Sequence, residues 1–499
     1  MTTNNPIVQT PSFTHSKFTS QRRRVEVHLT STLKNISIAC SIYITGFLLL
    51  GLLSASDLLD EQFTLVGLHL IAAISFYSYW KREPWGTARY GCFGSAILLL
   101  SMGFRLLFCF DTLIYDTRFD AWPATVSVDS SLINLFFKGE AITFFGTLIM
   151  VASWRLCVRE SLERLTFFGH EEKANINHFK TLYIFGCISQ ILLTANVGLG
   201  SFVQLFGLLR LLSDGCVYFL AHYNVKSKSR TCILKAFLLG LPLSFFALTT
   251  GVKSEILIPL IPATIIAWRS FSSGPARVFI IVFGIVSLSI VNIFVAHVRN
   301  TSWNEGETYS ATELTSGAFA SNDRESLKNS TEAIMSRINL SSSHALTVAI
   351  AERDGYIPME IFGGIPASFI PRLIWPDKPI LRPGNDHTQR IRGSSINTED
   401  VNTSTAPCFF TELYLGGGVF GLILVSVLYG FVLGWIQLNF ITLLPSSATS
   451  LFNFIMYITA IRFDENTISY ALTGLVLNFI LIHLIFKVLL LLPSRTARR

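Results

Sequence analysis

The chain has 499 residues, 51% of them hydrophobic and only 14% charged, and a mean hydropathy of +0.50. Its apolar residues are bunched into runs of about 17–25, the length a helix needs to cross the hydrocarbon of a bilayer, which excludes a string of soluble domains. The net charge of +7 is spread over short loops, where it acts as a topology signal and not as a nucleic-acid surface.

The expected fold is an all-α polytopic membrane protein, because a helix satisfies its own backbone hydrogen bonds in lipid. Residues 1–33 are rich in Ser, Thr, Asn and Gln and reach Arg22-Arg23-Arg24, which predicts an unstructured cytoplasmic tail with a basic stop and no cleavable leader. A transmembrane bundle of about nine spans is expected over 34–298. The predicted spans are 35–53, 63–80, 91–110, 133–154, 182–197, 201–221, 236–250, 255–268 and 278–298. A stretch of short amphipathic helix is expected over 155–180. A long polar loop covers 299–407, and a second bundle with a basic tail covers 408–499, with spans at 409–438, 451–461 and 468–492.

This makes about twelve spans. Merging one of the short hairpins would lower the count to eleven or ten. Basic loops alternate with acidic or neutral ones, so both termini are expected in the cytoplasm. The 299–407 loop, between spans nine and ten, is expected on the outer face of an inner (plasma) membrane. Within it, 325–339 and 342–353 read as helices, the second with Ser342 or Ser343 as its N-cap. Residues 383–407 read as mobile. Pro366, Pro371, Pro376 and Pro379 argue against regular helix around them.

The eight cysteines show no metal spacing, and most lie in or beside apolar runs, where cysteine is a small hydrophobe. No metal motif, phosphate-binding glycine loop or nucleotide-sugar carboxylate pair is present.

Ionisable residues inside spans are costly and mark candidate sites. Arg105, Lys138, Glu140, Arg210 and Asp214 qualify. The plainer reading pairs Lys138 with Glu140 and Arg210 with Asp214, and lets Arg105 snorkel. In the long loop, Arg337, Arg353, Arg372, Arg382, Arg390 and Arg392 suit a diphosphate headgroup, since a guanidinium binds phosphate through two donors. For any single one a solvated surface charge is the plainer role, above all for Arg390 and Arg392. Arg372 is the exception, locked beside Pro371. Trp375 can stack on a sugar or sit in the interfacial belt. His344 and His387 can be general bases or structural histidines.

The run Pro371-Arg372-Leu373-Ile374-Trp375-Pro376-Asp377-Lys378-Pro379, followed by Phe410-Thr411-Glu412-Leu413-Tyr414 and a glycine-rich start to the next span, resembles the oligosaccharide repeat-unit polymerases, the O-antigen polymerase (Wzy-like) group. The tip Thr249-Thr250-Gly251-Val252-Lys253-Ser254-Glu255 is similar to a Thr/Ser-Gly-Ser-Lys/Arg turn of that group, with Val252 where a small residue is common.

The resemblance implies a glycosyltransferase joining oligosaccharide units carried on undecaprenyl diphosphate, without a cofactor or metal. Its implied partners are those lipid-linked oligosaccharides, the bilayer, a chain-length regulator and a flippase. Arg372 would stabilise charge on the leaving diphosphate, helped by Lys378, Arg337 and Lys253. Glu352, Asp354, Glu412 or His344 would take the hydroxyl proton. Arg105, Arg353, Trp375, Asp377 and Tyr414 would bind substrate. A ligase that transfers the finished glycan shares the donor chemistry. A transporter of polysaccharide or lipid-linked sugar is the alternative from another class, although no internal repeat is visible.

Overall fold

The computed structural model describes residues 15–56, 58–82, 93–114, 132–158, 176–195, 203–222, 230–247, 253–271, 341–370, 408–443 and 467–491, with single positions between 274 and 291 and at 375, 386, 387 and 390. The helices are α1 (His15–Ala55), α2 (Glu61–Arg82), α3 (Phe93–Ile114), α4 (Leu132–Val158), α5 (Ile176–Thr194), α6 (Val203–His222) and α7 (Arg230–Ala247). They continue with α8 (Lys253–Leu257), a 3₁₀ turn (Ile258–Leu260), α9 (Ile261–Ser270), α10 (Ser341–Asp354), α11 (Pro358–Phe362), α12 (Gly364–Phe369), α13 (Phe409–Leu443) and α14 (Ile468–Leu491). No strand occurs among the described residues.

Among the described residues, five stretches are long and apolar enough to cross a membrane: Thr30–Ala55, Glu61–Arg82, Ile133–Val158, Arg230–Ala247 and Phe409–Asn439. Large apolar side chains such as Leu52, Ile74, Phe185, Phe245 and Phe420 point outward from the helices. Such outward faces are costly in water and at home in lipid, so the described helices are those of a membrane protein.

Several boundaries differ from the sequence reading. The tail expected to lack structure is helical from His15, because residues 15–45 contain neither glycine nor proline and a helix nucleated in the span extends cheaply through them. The expected span 255–268 is broken by a 3₁₀ turn, with Pro259 and Pro262 each sitting at the start of a new helical segment. Pro366 lies inside α12, in its first turn, where proline is tolerated. The helix expected at 342–353 is α10. The helix expected at 325–339 and the span at 451–461 lie outside the described residues, as does most of 278–298.

In one set of helices, α1 and α2 run antiparallel, with Gly46 against Ile71 and Gly67 against Leu50. Helix α3 runs antiparallel to α2: Gln62 Nε2 donates to the Thr112 carbonyl at 2.7 Å, and Cys109 Sγ to that of Val66 at 3.4 Å. Among the described helices, the most extensive interface joins α4 and α13. These two run in the same direction, since Gly146 meets Phe410, Gly430 meets Met150 and Gly434 meets Cys157. A Cβ on Gly430 would lie 2.3 Å from the Met150 carbonyl oxygen, so only glycine lets the backbones approach this closely. Trp154 Nε1 donates to Gln437 Oε1 at 2.6 Å near the far end.

The second set comprises α5 to α9. Phe179 of α5 stacks on Phe219 of α6 at 4.5 Å. Tyr183 and Thr194 of α5 donate to the carbonyls of Leu239 and Phe246 on α7, at 2.7 and 3.0 Å. Ser244 of α7 donates to the Ile256 carbonyl at 2.8 Å.

Helix α10 belongs to the long polar loop, yet it is packed into the first set. Ala345 through Ala351 are all buried. It crosses α4 at Gly139, where a Cβ would lie 3.2 Å from the Ala345 nitrogen. After Gly355 the chain bonds to α13 through Ile357 N–H and the Leu415 carbonyl, at 3.0 Å. Helices α11 and α12 then pack against α13 and α14. Helix α13 is broken at Gly417 and Gly418, the latter with φ of 60°.

Candidate functional site

Four helices bring ionisable side chains to one buried point beneath α10. Arg105 of α3 donates through Nε to Glu140 Oε1 of α4 at 2.8 Å, and through Nη2 to Oε2 at 3.5 Å. His69 of α2 approaches the same carboxylate, Nδ1 to Oε2, at 3.6 Å. His344 of α10 closes the top. All four are at least 97% buried. Phe76 and Phe108 hold their ring faces 5.8 Å from the Arg105 guanidinium carbon, a placement that favours the cation.

The same Phe108 meets the His344 ring edge-on at 6.3 Å. Neither His344 ring nitrogen has a hydrogen-bond partner among the described residues. Burial lowers its pKa to about 3, and the Arg105 charge pushes the same way. His344 is therefore a neutral imidazole enclosed above an ion pair.

Around this core is a more open rim. Lys138 of α4 pairs with Glu352 of α10. Arg353 grips Asp354 through two bonds of 2.6 and 2.7 Å, and that contact holds the Asp354 carboxyl below its usual range. The same Arg353 Nη2 that bonds Asp354 also donates to the Arg390 carbonyl at 3.3 Å. The Arg390 guanidinium pairs with Glu360. His387 is buried 3.3 Å from Thr347 Oγ1, and burial lowers its pKa to about 4. Tyr356 and Tyr414 meet edge to face at 5.8 Å.

The sequence expectations fare unevenly. Arg105 does not snorkel; it is fully buried and pairs with Glu140. Glu140 does not pair with Lys138, because residues two apart project from opposite sides of a helix. Arg210 bonds Glu255 at 2.6 Å and not Asp214. Arg390 and His387 are anchored, although their stretch reads as mobile.

Of the four candidate bases, Glu352 and Asp354 lie on the rim. Glu412 is buried and accepts from the Ile468 N–H, the first residue of α14, where a carboxylate suits the helix N-terminus. Trp375 is partly exposed. Lys253 opens α8, but its side chain lies outside the described residues, as do Arg337, Arg372, Asp377, Lys378, Arg382 and Arg392.

Sequence reasoning missed His69, Glu255 and Tyr356. His69 was available to the same argument that singles out Arg105, an ionisable group inside an apolar run. Tyr356 carries no comparable signal in the sequence.

A family model described as a domain of unknown function (DUF8712) matches residues 100–493. The chain belongs to that family. The DUF8712 region begins inside α3, so it contains Arg105, Glu140 and His344 and leaves out His69. No curated protein and no solved structure matches the chain.

Proposed function

We propose that this protein is a membrane glycosyltransferase that polymerises undecaprenyl-diphosphate-linked oligosaccharide repeat units into a surface polysaccharide at the outer face of the inner membrane. The observation that carries the reading is the docking of α10. A helix from the long polar loop is buried against Gly139 of α4, so its polar end holds Glu352, Arg353 and Asp354 against the end of a helical bundle. A cluster of cations and carboxylates at that level suits a headgroup that is a diphosphate on one side and a sugar on the other.

In this reaction a sugar hydroxyl of one unit attacks the anomeric carbon of another. A new C–O bond forms, the bond to the diphosphate oxygen breaks, and the lipid diphosphate leaves with the electron pair. Glu352 is the base best placed to take the proton, since its side chain is one-fifth exposed while His344 and Glu412 are enclosed. Arg372, Lys378, Arg337 and Lys253 stabilise the leaving charge.

The full topology has about twelve spans, cytoplasmic termini and an outer loop at 299–407. The common direction of α4 and α13 supports it, because both then start on the outer face. A second reading, transport of a lipid-linked sugar, is favoured by one observation. His69, Glu140 and Arg105 form an ionisable network inside apolar helices, a common arrangement in proton relays.

The test is a gel of surface polysaccharide from a strain lacking the gene, complemented with wild type or Arg372→Ala. A single repeat unit in place of the ladder, rescued by wild type alone, supports the polymerase. A full ladder retained on the lipid carrier means ligase, and an unchanged profile removes both.

A further inference from the structure

Tyr356 occupies an unusual position. It is 55% exposed, yet its ring rests on the backbone of α13, where a Cβ on Gly418 would lie 2.8 Å from the ring carbon bearing the hydroxyl. Gly418 also has φ of 60°, a conformation that a residue with a Cβ rarely adopts. The break in α13 and the seat of the ring are therefore one feature. The chain leading to the ring is fixed on both sides, by the Gly355 N–H on the Ala351 carbonyl at 3.1 Å and by Ile357 N–H on Leu415. Tyr414 buttresses the ring edge-on at 89°. Glu352 lies four residues earlier, in the last turn of α10, and Lys138 holds that carboxylate in place.

A rigid aromatic face left open, with phenols, a carboxylate and an ammonium at its edge, matches the two sides of a sugar ring. One side of a pyranose is a plane of C–H bonds, and its rim carries hydroxyls that donate and accept. A lipid chain would not suit the charged edge. A bare diphosphate would not use the aromatic face. We propose that Tyr356, seated on the Gly418 break beside Tyr414 and Glu352, binds one sugar ring of the acceptor oligosaccharide. This rests on the polymerase reading, and it assigns the acceptor end of the same site.

The test uses the full chain purified into nanodiscs and a lipid-free oligosaccharide repeat unit from the host's surface polysaccharide. Affinity is measured by calorimetry, and ring contacts by saturation-transfer NMR. Tyr356→Ala should weaken binding at least tenfold, and Tyr356→Trp should keep it within threefold. Thermal unfolding of each variant checks the fold. In membranes supplied with lipid-linked donor and this acceptor, Tyr356→Ala should raise the acceptor KM and spare kcat.

Equal affinity in wild type and Tyr356→Ala, or no binding to wild type, overturns the assignment. A polysaccharide ladder that collapses on gene deletion beside equal affinities removes the sugar ledge and leaves the polymerase. An unchanged ladder beside Tyr356-dependent sugar binding does the reverse.

Discussion

Glu140 and Asp214 are both carboxylates within apolar helices, and both are 2% exposed. Glu140 receives two bonds from Arg105 and faces His69. Asp214 has an oxygen with no hydrogen-bond partner among the described residues, since the nearby Arg210 is committed to Glu255. Burial of a carboxyl alone therefore does not mark a site. What separates the two is the allocation of the partner cation: it ties α2, α3 and α4 together under α10 in one case, and α6 to α8 in the other.

The sharpest way to break this contrast is to remove Arg105. Arg105→Leu leaves Glu140 buried without its cation, which costs about 3–5 kcal/mol. Thermal unfolding in detergent should show a larger loss than Gly430→Ala, His344→Asn or Asp214→Asn produces, and a wild-type melting curve would sink the ion-pair argument.

Gly430→Ala tests whether the α4–α13 seam beside that pair is as tight as the 2.3 Å approach implies. The expected loss is about 1–3 kcal/mol, read in the same assay.

Acid addresses the histidine above the pair. His344 and His387 stay neutral in the fold down to about 3 and about 4, whereas an unfolded histidine takes up its proton near 6.5. The unfolded state thus binds more protons below that value. Stability should fall as pH drops from about 6.5 toward 4, by about 1.4 kcal/mol per unit for each histidine. His344→Asn should make the decline shallower, and an unchanged slope would contradict its burial as a neutral ring.

The smallest effect is expected at Asp214. Exchange for the isosteric Asn replaces a buried carboxyl that has an oxygen with no hydrogen-bond partner among the described residues, so Asp214→Asn should change stability by less than about 1 kcal/mol or raise it. Glu140→Gln, the matched change, should be clearly destabilising.

The helical class and the five membrane-length stretches were legible because composition and run length state them directly. Partners were not. Arg105 is conspicuous in the sequence, but its partner sits 35 positions away on the next helix, and only tertiary packing brings them together. Arg210 and Asp214 have the right spacing for a pair, yet a carboxylate from α8 takes the cation. The insertion of α10 was equally hidden. Its sequence reads as an ordinary loop helix with one apolar stripe, and nothing local announces that Ala345 will face Gly139. Tyr356 depends on the φ of a glycine 62 positions later, a relation no local pattern encodes.

The most direct test of the proposed polymerase is reconstitution. Purified protein in liposomes, given undecaprenyl-diphosphate-linked repeat units, is followed by gel for glycan length and by mass spectrometry for free lipid diphosphate. The predicted result is a ladder together with one released lipid diphosphate for each linkage formed. Movement of intact lipid-linked sugar across the bilayer, with no release and no ladder, would contradict it and favour the carrier.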